Sequence, residues 1–183
     1  SVREKRSNLL IMGWHGKRGQ KEFQLGSTID PIVERTPSNV IIFKGVTGKT
    51  FNSVLVPLSG GPNCIFALET AIMLSEPGAR IIAFHVNNGK YNYDIQKDVN
   101  DVLKHIDLQD KTIETHIVQS QKVLETIMEK ATEFDLIVIG NTGKSIWENF
   151  WKGSLPEQIA RECDKPLAMV KASSGGLRSL IKQ

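Results

Sequence analysis

The chain is short of the residues that would announce several kinds of function. It has only two cysteines, Cys64 and Cys163, set far apart, so neither a disulfide framework nor a Cys-based metal motif is encoded. A reducing compartment is the natural expectation. No apolar run approaches the roughly 20 residues that span a bilayer, and no signal-peptide pattern is visible. Charge of one sign is also scarce: 23 Lys and Arg against 20 Asp and Glu leave +3 over 183 residues, which argues against nucleic acid as partner. The basic clusters Arg3 to Arg6 and Lys17-Arg18 read as solvated surface. A pairing of nucleophile with general base, needed for catalysis in a cleft, is missing too.

What the chain does have is a glycine frame, written twice. Gly13 and Gly16, nine residues, then Gly26-Ser27 recurs as Gly140 and Gly143, nine residues, then Gly153-Ser154, both of the form G-x2-G-x9-G-S. Each copy follows an apolar run, Leu9 to Met12 or Leu136 to Ile139, and leads through a helix-like stretch to a second run. The offset that carries Gly13 onto Gly140 keeps residues 8–44 and 135–171 aligned throughout, placing Lys17 on Lys144, Ile32 on Ile159 and Lys44 on Lys171. A repeat of this length implies two copies of one structural unit. The expected division is the C-terminal part of a first module over 1–44, a linker over 45–52, a complete second module over 53–171 and a flexible tail over 172–183. The first copy has nothing matching 53–134, so the chain is expected to be an excerpt of a longer protein.

Along the second copy, short apolar runs alternate with helical patterns. Strands are expected at Val54 to Pro57, Ile81 to Val86, Thr112 to Val118, Leu136 to Ile139 and Leu167 to Val170. Helices are expected at Asn63 to Leu74, around Ile95 to Ile106, at Gln121 to Ala131 and at Leu155 to Glu162. Four of the five runs are almost unbroken apolar, as in parallel strands covered on both faces. The fold class is therefore α/β, a five-stranded parallel sheet sandwiched by helices. Val40 to Phe43 and Leu167 to Val170, the last strands of the two copies, are expected to pack together. The segment Gly45 to Thr50 looks superficially like a P-loop but misses its spacing and reads as a linker.

In such a sheet, ligands sit beyond the carboxyl ends of the strands. The strand ending at Pro57-Leu58-Ser59-Gly60-Gly61 and the strand ending at Gly140 would then face one crevice. Gly140 and Gly143 permit close backbone approach, while Gly153-Ser154 opens a helix whose free N–H groups, dipole and Ser154 hydroxyl favour phosphate oxygens. In the first copy Gly13, Gly16, Gly26 and Ser27 are the counterparts, and His15 is placed to touch phosphate. Lys144 could add charge there, but is as readily an idle surface lysine. Trp147, Phe150 and Trp151 fit a module interface better than a lid over a base, and His85, inside an apolar run, reads as a satisfied near-core histidine.

Together these residues resemble a universal stress protein domain. That family has a five-stranded α/β fold and a G-x2-G-x9-G-S/T signature in its nucleotide-binding members, matched by Gly140, Gly143, Gly153 and Ser154. The resemblance implies an adenine nucleotide, ATP, ADP or AMP, with or without Mg. Its base and ribose would lie near Pro57, Leu58, Ser59 and Val86, and its phosphates at Gly143, Gly153 and Ser154. One departure is Ser59, which stands where nucleotide-binding members usually carry an acid.

Ser59-Gly60-Gly61 also resembles the start of the S-G-G-x-D-S loop of ATP pyrophosphatases, but Asn63 and Cys64 replace its last two residues. A non-catalytic, nucleotide-responsive regulatory module is preferred over such an enzyme and over a dimerisation module that binds nothing. The combination of Gly-Trp-x-Gly, a short linker and Val-Pro-Leu-Ser-Gly-Gly-Pro-Asn resembles the tandem stress-protein tails of amino-acid permeases and related cation transporters. That likeness implies a tail on the cytoplasmic side of a membrane, with the parent transporter domain and the other module or a second chain as partners. A free-standing tandem stress protein of the cytoplasm is the alternative.

Overall fold

The computed structural model describes residues 9–13, 36–45, 48–90, 94–104, 108, 110–140 and 154–173. Within them the apolar runs become strands β1 (Leu9–Gly13), β2 (Asn39–Lys44), β3 (Ser53–Pro57), β4 (Arg80–Asn87), β5 (Thr112–Gln119), β6 (Leu136–Gly140) and β7 (Leu167–Lys171). The helical patterns become α1 (Pro62–Leu74), α2 (Ile95–Leu103), α3 (Val123–Ala131) and α4 (Leu155–Glu162). No helix among the described residues is long and apolar enough to cross a membrane.

The expected five-stranded parallel sheet is corrected to a sheet of seven described strands in the order β1-β2-β7-β6-β3-β4-β5. Five of them, β7-β6-β3-β4-β5, do run parallel. The other two join because β2 pairs antiparallel with β7, from Val40 opposite Lys171 to Lys44 opposite Leu167, and β1 then runs parallel beside β2. An apolar β7 left at an edge would expose a row of unpaired N–H and C=O groups; β2 satisfies them and buries Val40, Ile41 and Ile42 with it. Val40 to Phe43 and Leu167 to Val170 are thus hydrogen-bonded neighbours.

The sequence repeat reappears as a repeat of register. In the first copy Leu10 lies beside Val40 and Gly13 beside Phe43; in the second, Ile137 lies beside Leu167 and Gly140 beside Val170. These are the same pairs, shifted by the offset that carries Gly13 onto Gly140.

Side chains alternating along the strands build two cores. On one face α1 and α2 cover Val54, Val56, Ile81, Ala83, Leu136 and Val138. On the other, α3 and α4 cover Leu55, Ile82, Phe84, Ile137 and Ile139. Helix α1 is apolar nearly all round, with Cys64, Phe66, Ala67, Leu68 and Ala71 buried, as expected for a helix wedged between a sheet and a neighbouring helix. At the amino ends of the central strands, Asp135 Oδ2 accepts the backbone N–H groups of Asn52 and Ser53 at 3.1 Å each. Ala172 and Ser173, expected to open a flexible tail, are instead held. The Ala172 N–H donates to Asn63 Oδ1 at 2.8 Å, and the Ser173 N–H donates to Asn39 Oδ1 at 2.7 Å.

Candidate functional site

Strands β3 and β6 are parallel neighbours, with Val54 beside Leu136 and Leu55 beside Ile137. After β3 the chain turns to α1 on one face of the sheet; after β6 it continues to α4 on the other. Neighbouring strands whose connections part to opposite faces leave a crevice beyond their carboxyl ends, where α/β sheets take ligands.

A pocket occupies this crevice, enclosing about 430 Å³ with its open mouth included. Its floor is Pro57, Leu58 and Ser59 after β3, Phe84, His85 and Val86 at the end of β4, and Ile139 and Gly140 at the end of β6. Its wall is Val123 and Ile127 from α3 with Leu155, Pro156 and Ile159 from α4. Its lining is mainly apolar, which suits a flat ring rather than a lone ion.

The loop from Leu58 to Gly61 is fastened from both sides. On the β4 side the Leu58 N–H donates to Phe84 O at 2.8 Å, and His85 Nδ1 lies 2.8 Å from Leu58 O, a separation that requires the proton on Nδ1. On the α1 side Cys64 Sγ accepts the N–H groups of Ser59 and Gly60 at 3.3 and 3.2 Å and lies 3.2 Å from Gly60 O. Gly60 and Gly61 have φ of 103° and 87°, a backbone conformation that side chains disfavour. Burial pushes the Cys64 thiol above its ordinary pKa, so it stays neutral and serves both as donor and as acceptor.

Gly140 is needed for a different reason. A Cβ there would fall onto the backbone oxygen of Asn63 and within 2.7 Å of its carbonyl carbon. The end of β6 therefore presses directly on the first turn of α1.

Ser154 stands just before α4 with extended backbone, and its Oγ accepts the Glu157 N–H at 3.3 Å. Ser154 and Glu157 have the spacing of a capping box, which the glycine-frame reading overlooked. The Glu157 carboxylate, only 3% exposed, is met by Arg161 Nη2 at 2.6 Å. The Ser154 hydroxyl thus shapes the helix end bordering the pocket.

Of the sequence-derived site residues, the structure gathers Pro57, Leu58, Ser59, Val86 and Gly140 around one pocket, with Ser154 next to the wall residue Leu155. Gly13 closes β1, well away from them across β2 and β7. Gly16, Gly26, Ser27, Gly143 and Gly153, with His15, Lys144, Trp147, Phe150 and Trp151, lie outside the described residues. His85, read as a near-core residue, is buried but also lines the pocket. Val123, Ile127, Leu155, Pro156 and Ile159 were read at most as helix core, because a periodicity marks which face is apolar and not where two apolar faces stand apart.

A doubly wound α/β protein with an apolar pocket at its switch point is the class these features define. The sequence matches the universal stress protein family over residues 2–44 and 50–171, and the chain belongs to that family. Among solved structures it is similar to a universal stress protein from Archaeoglobus fulgidus DSM 4304, with 20% identity and a TM-score of 0.65 over 96% of this chain and 65% of that one. The chain thus spans about two thirds of that structure's length. It is also similar to a universal stress protein in complex with cAMP, at 25% identity and a TM-score of 0.51 over 65% of this chain and 95% of that one. A third likeness is to universal stress protein UspA from Lactobacillus plantarum, at 15% identity and a TM-score of 0.52 over 68% of this chain and 100% of that one. No curated protein matches the sequence significantly.

Proposed function

We propose that the pocket beside Gly140 binds an adenine nucleotide and that the chain is a regulatory module responding to its occupancy. The observation that carries this reading is the position of the pocket. It opens where β3 and β6 part, with an apolar lining that includes Val86 and Ile159 to receive a base, and with the amino end of α4 alongside it for phosphate oxygens. The relative solved with cAMP bound lends support from the same family. In this reading Pro57, Leu58, Ser59 and Val86 hold base and ribose, while Gly143, Gly153 and Ser154 hold phosphates. ATP, ADP and AMP are the candidates, with Mg as an optional companion, and no residue is assigned a catalytic role.

The repeat of register supports a tandem arrangement: residues 1–44 end a first module, 53–171 form a second, and Gly13, Gly16, Gly26 and Ser27 belong to the first module's glycine frame. The phrasing of residues 53–63 favours the cytoplasmic tail of an amino-acid or cation transporter over a free-standing tandem protein. Calorimetry with ATP, ADP and AMP, each with Mg and with EDTA, tests the nucleotide reading. Saturable binding of at least one is expected, and no heat from any of them defeats it. The parent gene tests the context: transmembrane segments ahead of Ser1 are expected, and their absence leaves the free-standing protein.

A further inference from the structure

Lys44 ends β2, in the first copy of the repeat, yet its side chain reaches into the second. Its Nζ donates to Ala160 O at 3.0 Å and to Cys163 O at 2.7 Å. These carbonyls belong to the last turn of α4 and to its C-cap, where the Cys163 N–H closes the helix on Ile159 O and the final carbonyls have no partner within the helix. An ammonium there satisfies two of them and stands at the negative end of the helix dipole.

The same contact is made in reverse. Lys171 Nζ donates to Thr36 O at 3.1 Å. The offset that carries Gly13 onto Gly140 carries Lys44 onto Lys171 and Thr36 onto Cys163. Each copy therefore sends the lysine at the end of its last strand to the matching carbonyl of the other. One such reach could be incidental packing; two related by the repeat belong to the design of the junction.

Helix α4 is also a wall of the pocket, through Leu155, Pro156 and Ile159. It is eight residues long, about 12 Å, so a restraint on its last turn fixes the orientation of its first. We propose that Lys44 is a positioning residue for the pocket of the second copy, holding α4 in its closing orientation so that pocket occupancy and the seating of Lys44 on the end of α4 are linked. This rests on the nucleotide reading for its ligand but not for its geometry. By linkage, a ligand that needs α4 in place tightens the Lys44 contact by the factor by which that contact tightens the ligand.

The test uses the whole chain and three variants, Lys44→Met, Lys44→Arg and Lys171→Met. Amide hydrogen exchange of α4 without ligand and ATP binding by calorimetry are the two readouts. Lys44→Met keeps the apolar stem and loses the donors, so it should speed exchange over 158–163 at least tenfold relative to α3 and weaken ATP about tenfold. Lys44→Arg, which retains donors and charge, should recover most of both. Lys171→Met removes the matched contact on the other side and should leave ATP affinity within about twofold of wild type. Unchanged α4 exchange in Lys44→Met overturns the proposal, as does an equal loss of ATP affinity in Lys171→Met, which would mean that general loosening of the junction is responsible. If the wild type binds no nucleotide, the pocket reading fails, and the exchange result alone decides whether Lys44 holds α4.

Discussion

Ile42 and Met169 stand opposite each other in the antiparallel pairing of β2 with β7, and each is the residue onto which the sequence repeat carries the other. They mark the approximate two-fold axis of the described structure. Both are buried in the core on the α4 face, at 3% and 5% exposure. Cross-strand neighbours on one face are the unit of sheet stabilisation. Replacing either by Ala should cost about 2–3 kcal/mol. The double variant should cost less than the two together by about 0.5 kcal/mol or more. Urea unfolding of the four proteins gives the cycle; strict additivity would mean that the pair does not sense itself across the axis.

Gly140→Ala introduces one methyl group where the backbone of Asn63 already stands. Neither a strand end nor the first turn of a helix yields as a flexible side chain does, so the rim must open. A loss of about 1–3 kcal/mol is expected, together with weaker nucleotide binding. A variant with the unfolding midpoint of wild type would show that β6 and α1 do not press on each other in solution.

Ser154→Ala removes the oxygen that accepts the Glu157 N–H. The loss of such a cap should lower stability by about 1 kcal/mol, and Ser154→Asp should retain most of it. If the Ser154 hydroxyl also donates to phosphate, the Asp variant separates the two roles: it keeps the cap but repels the ligand. Thermal unfolding with and without ATP reads both.

Alkaline pH offers a test of the buried thiols. Burial raises the pKa of Cys64 and of Cys163 above the ordinary 9.0. A group whose folded pKa is raised contributes stability that is complete below its unfolded value and is lost as pH climbs through the folded one. Lys171 works in the opposite sense, because burial lowers its pKa from 10.5 and the unfolded chain keeps that proton longer. Comparison of wild type with Cys64→Ala cancels the contributions of Cys163 and Lys171. The stability gap between them should stay constant up to about pH 9 and shrink above it; a gap that is flat to pH 11 would place Cys64 in contact with water.

Much of this arrangement was legible in the residues. Unbroken apolar runs such as Leu136 to Ile139 gave the parallel strands, and α4 begins and ends at Leu155 and Glu162 as its pattern suggested. The glycine frame led to Gly140, and the strand ending at Pro57 led to Leu58 and Ser59. What stayed hidden depends on distance rather than on pattern. Nothing in the spacing of Cys64 says that its sulfur would hold the Ser59 and Gly60 amides, since a cysteine in an apolar helix reads as core. The antiparallel pairing of β2 with β7 was foreseen as contact between the last strands, but its effect on strand count was not, because strand periodicity carries no information about how many neighbours a strand has. The repeat matches Lys44 with Lys171, but only the folded junction shows where their amines go.

The reversal of direction between β2 and β7 also settles which way the molecule faces. Chain leaving Gly13 and chain leaving Gly140 head out of the sheet in opposite senses, since β1 follows β2 and β6 follows β7. The carboxyl ends of β1 and β6, the side on which such sheets take ligands, therefore lie at opposite ends of one sheet. Held by one end against any large body, the sheet would turn one of these strand ends toward that body and the other toward open solvent. Diffusion would then supply the two ends unequally, and a repeat that is symmetric in sequence would become asymmetric in what each half samples.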